Sequence, residues 1–150
     1  MKTVCVAIFL FISTSVLGQS ANDYWASWDK NYRKANGTTL LNAEKAYAEY
    51  VENHPEIAQY YVRQDSYRFV AEYIGKTRPL NTLVRESMYR AYTLTMRRDI
   101  KELGDIYKAE ALFKIGYETL WMPIQVNILK ALKKEVVKGD KITLYCFFFE

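Results

Sequence analysis

Cysteine and histidine are nearly missing from this chain. Of its two cysteines, Cys5 falls in the apolar N-terminal run and Cys146 is left alone. Beyond that run, no intrachain disulfide staples the protein, and stability must come from packing. Cys146 sits among Leu, Tyr and Phe with no basic residue beside it, the setting of a small buried hydrophobe rather than a nucleophile. The single histidine, His54, stands before Pro55 at a corner. Without a Cys/His cluster or a His-x-x-x-His spacing there is no foothold for a zinc site, and His54 reads as a turn residue or helix cap. The Gly-x-Ser-x-Gly, P-loop and dinucleotide patterns are missing too, so the sequence offers no catalytic residue, no metal and no cofactor. Nor is charge of one sign in excess: the net value is +4, too mild to imply nucleic acid.

What is present begins with MKTVCVAIFLFISTSVLG. A positive start, an apolar run and small residues before a cut describe a secretory signal peptide over residues 1–18, cleaved near Gly18. The apolar run is shorter than the roughly 20 residues a spanning helix needs, so no transmembrane span is expected after cleavage. The expectation is a secreted or periplasmic protein whose residues 19–150 form a single helical domain with a C-terminal strand.

Apolar periodicity then suggests a series of helices. Trp25, Trp28 and Tyr32 recur at spacings of three and four, an aromatic stripe that either docks on the core or presents a platform to a partner. Asn36-Gly37 supplies a turn, and Thr38 or Thr39 caps a helix to about Asn53. Pro55 suits the first position of a third helix, drawn as far as Gly75, with a possible break at Ser66. Ala48-Glu49-Tyr50-Val51 and Ala71-Glu72-Tyr73-Ile74 hint at a repeat. The stretch Asn42 to Val62 resembles the tail of one tetratricopeptide unit running into the next, but lacks the other spaced positions of that motif and implies no membership.

Pro79 to Gly104 is the longest helical reading, and the rest of the chain is expected to pack around it. Residues 106–121 fit both a helix and an alternating strand; Ala and Glu content favours the helix. Pro123 is expected to start another helix that Gly139 ends. Lys141 to Phe149, KITLYCFFF, is a strand apolar on both faces, which must pair with something. The fold expected is mainly α, a compact bundle of about five helices with a small C-terminal β element, and α+β as the alternative.

The organised polar feature is a seam on the long helix, Glu86, Arg90, Thr93, Arg97 and Lys101, at spacings of three and four. It is either a solvated face or an arginine-lined groove for a carboxylate, phosphate or acidic peptide. Glu49, Glu52 and Glu56 form an acidic group at the His54 corner, read as solvated rather than catalytic. Thirteen tyrosines suit half-buried positions and binding surfaces alike. The sequence therefore points to binding more than catalysis. Two readings follow: an interaction domain that meets an unknown protein through Trp25, Trp28 and Tyr32 or through the basic seam, or a small carrier or enzyme whose pocket holds an anionic ligand at Glu86, Arg90, Arg97 and Lys101.

Overall fold

Backbone hydrogen-bonding groups that are not in helices must find partners elsewhere, and here they build a sheet. The computed structural model describes residues 5–9, 26, 28–58, 64–96 and 100–149. Its elements in chain order are β1 (Cys5–Phe9), β2 (Arg33–Lys34), α1 (Gly37–Asn53), α2 (Pro55–Ala58), β3 (Gln64–Pro79), α3 (Thr82–Met96), α4 (Ile100–Ile106), β4 (Tyr107–Ile115), β5 (Glu118–Gln125), α5 (Val126–Glu135) and β6 (Lys141–Phe149). The strands form a six-stranded sheet in the order β2-β3-β4-β5-β1-β6, with a further β3–β6 pairing. Five helices are present among the described residues, as the sequence suggests. The expected small C-terminal β element is overturned: the sheet is the body of the protein, and the helices pack on it.

The largest departure is β3. The sequence draws one helix from Pro55 to Gly75; among the described residues helix is observed there only at Pro55–Ala58, and Gln64–Pro79 is a long strand. The cause is an alternation hidden by the neighbouring helical pattern. Tyr67, Phe69, Ala71 and Tyr73 are buried on one face, while Arg68, Val70, Glu72 and Ile74 stand on the other. That period of two suits a strand, and the aromatic side chains fit a pleated surface. Gln64 to Glu72 pairs antiparallel with β6, which answers the need of KITLYCFFF for a partner. Glu72 to Pro79 pairs antiparallel with β4. Gly75, where the sequence ends that helix, adopts φ +76° inside β3, where the register shifts between Tyr73 and Thr77. The positive φ serves a bulge.

Residues 106–121 are likewise corrected from helix to strand: β4 and β5 make an antiparallel hairpin around Gly116-Tyr117, with Gly116 at φ +63°. Phe113 and Ile115 are buried on alternate positions of β4. Pro123 lies inside β5 rather than at a helix start, and α5 begins at Val126. The long reading Pro79 to Gly104 becomes α3 and α4. It is not the element that organises the chain, a role that belongs to β3, which pairs with β2, β4 and β6.

Two apolar clusters hold these parts together. The larger joins the inner sheet face (Phe69, Tyr73, Phe113, Met122, Leu144, Cys146, Phe148) to Leu40 and Leu41 of α1 and to Leu132 of α5. The smaller joins Met88 and Ala91 of α3, Leu103 of α4 and Tyr107 of β4, with Phe147 packed against it. The start of α1 matches its sequence reading to within a residue or two, but the cap is Asn36, whose Oδ1 accepts from the Thr39 N–H at 3.1 Å. His54 is the C-cap; its ring stacks on Tyr50 and its Nδ1 meets the Tyr50 carbonyl at 2.8 Å.

Residues 5–9, inside the expected leader, form β1. They pair antiparallel with Tyr145–Phe149 of β6 and parallel with β5 at Ile8↔Ile124. The pairings thus close a ring, β3–β4–β5–β1–β6–β3. Among the described residues no helix is long and apolar enough to cross a membrane.

Candidate functional site

Cross-strand neighbours on one sheet face share a surface, and this places three charged residues in a row. Glu72 on β3 lies opposite Lys114 of β4 on one side and opposite Lys141 of β6 on the other. All three stand on the outer face, since Ala71 and Tyr73 on either side of Glu72 are buried inward. Both lysines are exposed, and Glu72 is half-buried between them. Among the described residues neither ammonium is held in an ion pair. Beside the row is an open recess of about 300 Å³, lined by Val70, Ala71, Glu72, Lys114, Gly116 and Lys141. Val70, itself exposed, adds an apolar side chain to the lining, and the Gly116 turn closes one end. Facing lysines around a carboxylate attract an acidic group to either side while offering an acceptor in the middle.

A second outer-face cluster lies along the same two strands. Arg78 pairs across to Glu110, its Nε donating to Glu110 Oε2 at 2.6 Å, and its guanidinium lies 4.3 Å from the Trp121 ring centroid. Glu110 is only 1 % exposed. Its Oε1 finds no hydrogen-bond partner among the described residues. Breaking such a pair strands a buried charge, so the cluster braces the β3–β4 junction.

The residues singled out in the sequence fall as follows. Trp25 and Arg97 lie outside the described residues, as does the side chain of Lys101. Glu86 and Arg90 are exposed on α3, form no ion pair with each other among the described residues, and do not line the recess. Trp28 and Tyr32 stack at 5.3 Å, and both meet the Tyr145 ring edge-on, at 6.0 and 5.4 Å. Tyr145 donates to Asp29 Oδ1 at 2.8 Å, and Arg68 is ion-paired to the same carboxylate. Trp28 and Tyr32 therefore dock against β6. Burial, with a smaller push from Cys146, raises the Tyr32 phenol to about 12. Burial likewise pushes the Cys146 thiol well above its ordinary value. Among the described residues no group of His, Cys, Asp and Glu is placed to hold a metal.

Sequence reasoning missed Glu72, Lys114 and Lys141 because they lie on three strands, two of them first read as helix. The signal was the period-two template over Lys108, Glu110, Leu112 and Lys114, which puts these charges on one face. Comparison with protein-family models, curated proteins and solved structures finds no match.

Proposed function

We propose that this chain is an exported binding domain without catalytic chemistry of its own, which holds a small carboxylate- or phosphate-bearing ligand on the outer face of its sheet. Residues 1–18 serve in this reading as a removable leader. The observation that carries the ligand is the row Lys114–Glu72–Lys141 beside an open recess. The two ammonium groups, in no ion pair among the described residues, attract the acidic group. Glu72 accepts from a hydroxyl or ammonium on the same ligand, which selects hydroxy acids, amino acids and their phosphates over simple anions. In this reading the acidic group sits between lysines on the sheet rather than at the arginines of the long helix. The exposed Glu86 and Arg90 are left as a surface for an acidic protein partner.

Native mass spectrometry of the exported chain tests this reading. The result expected is a discrete extra mass that vanishes on denaturation and is lost in the Lys114→Ala, Lys141→Ala double variant. Retention of that mass in the double variant, with loss in Arg90→Ala, Arg97→Ala, would return the site to the long helix. A bare exported chain that also fails to bind added phosphoserine or malate would contradict ligand binding altogether.

A further inference from the structure

We propose that the slot between β5 and β6 is a strand-binding site, which takes an extended apolar segment of a partner protein once residues 1–18 have been cut away. The inference rests on the leader reading given under the proposed function. Without β1 the remaining strands form an open sheet whose outer strands are β5 and β6, because β3 already pairs with β4 on one side and with β6 on the other. Residues 5–9 fill the space between those two edges, pairing with Tyr145–Phe149 of β6 and meeting β5 at Ile124. Removing them leaves backbone N–H and C=O groups of both edges unpaired in a largely apolar setting, a state that invites another strand.

The walls define the occupant. Facing inward from β6 are Cys146 and Phe148, buried in the main core, and Ile124 faces them from β5. On the outer side Phe147 packs against the cluster made by α3, α4 and Tyr107. A strand in this slot is therefore flanked by apolar side chains beside Cys146, Phe147 and Phe148, and a charged residue at those positions is desolvated without a partner; only the end opposite Tyr145, near Asp29 and Arg68, is polar. The segment seated there, Cys-Val-Ala-Ile-Phe, is apolar at every position. It runs antiparallel to β6 and parallel to β5. The partner strand must share that polarity and that lack of charge.

The test uses the chain expressed with its own leader and recovered from the exported fraction, beside the same chain made with the leader retained. Intact mass first establishes whether the cut has occurred. Amide hydrogen exchange is then followed in β5 and in Tyr145–Phe149, before and after addition of a peptide that reproduces residues 4–10 with Cys5→Ser and terminal lysines for solubility. The expectation is edge-amide exchange at least about tenfold faster in the cut chain than in the uncut one. The peptide restores protection in a saturable way, and the same peptide carrying Ile8→Asp, at the register position opposite Cys146, does not. An uncut exported chain, visible in the mass alone, removes the leader reading and leaves the slot permanently filled. A cut chain whose edges are protected without peptide shows β5 and β6 closed on each other and overturns the strand site. Protection that appears only on dimerisation overturns the partner and assigns the slot to a second copy.

Discussion

Ala-Glu-Tyr followed by a β-branched residue occurs twice, at Ala48–Val51 and at Ala71–Ile74, and the two copies fold differently. The first lies in α1, the second in β3. In the helix Tyr50 is 49 % exposed and rests on His54; in the strand Tyr73 is 5 % exposed and packs against Phe113. Glu49 is a solvated carboxylate, while Glu72 stands between two lysines. Identical side chains thus do opposite work. The difference lies in what each element covers: the helix that carries the first copy buries Leu40 and Leu41 near its start and leaves the copy itself half-buried or exposed, and the strand that carries the second buries alternate residues between β4 and β6. Local propensity in these few residues is a weak prior, and tertiary packing overrides it.

Truncating the two tyrosines breaks the comparison most sharply. Tyr73→Ala is expected to cost about 3–5 kcal/mol, as large-to-small aromatic changes in cores do, whereas Tyr50→Ala costs about 1 kcal/mol or less. Urea unfolding of the two variants checks this; equal losses would mean that Tyr73 is not in the core.

Alkali probes the same burial without substitution. Burial raises the phenols of Tyr73 and Tyr32, from an ordinary value of 10.0 to about 12 for Tyr32. The folded state holds these protons after the unfolded chain releases them, so stability is fully present below pH 10 and falls as pH rises above it. For Tyr32 the loss is complete near pH 12 and amounts to roughly 2 kcal/mol. Tyr32→Phe and Tyr73→Phe should each flatten this alkaline decline by about one proton, read from denaturant midpoints at stepped pH. A decline of unchanged steepness would show these phenols to be solvated.

Smaller still is the bulge that follows the strand copy. Gly75→Ala is expected to cost about 1–2 kcal/mol, because φ +76° is strained for an L side chain and the added methyl meets the Lys138 side chain at 3.0 Å. A calorimetric scan that shows no loss would contradict the bulge. Ile74→Val makes the two tetrapeptides identical and should cost under about 1 kcal/mol, with the strand retained in amide exchange.

These contrasts mark how much was legible in the sequence. KITLYCFFF was readable as a strand because Ile142 and Leu144 to Phe149 are apolar and β-prone, and α1 was readable because it opens at Asn36-Gly37 and runs without a breaker to Asn53. Tyr67 to Tyr73 was not, because its alternation of aromatic and polar residues also satisfies helical spacings once it is joined to the Pro55 segment. Ile106 to Trp121 was ambiguous for the same reason, and only a partner strand resolves it. The aromatic pair Trp28 and Tyr32 was readable as a docking stripe, yet its target, Tyr145, lies in the last strand. The row Lys114–Glu72–Lys141 exists only once three strands are in register, so no single stretch of sequence contains it.

The claim that ties the strand copy to function is that Glu72 and its two lysines receive an acidic ligand, and backbone NMR during titration with phosphoserine tests it most directly. The account predicts saturable shifts at Glu72, Lys114, Gly116 and Lys141, abolished in Lys114→Ala, Lys141→Ala, while Glu49 in the helical copy stays still. Shifts centred on Arg90, or none at saturating ligand, would contradict it.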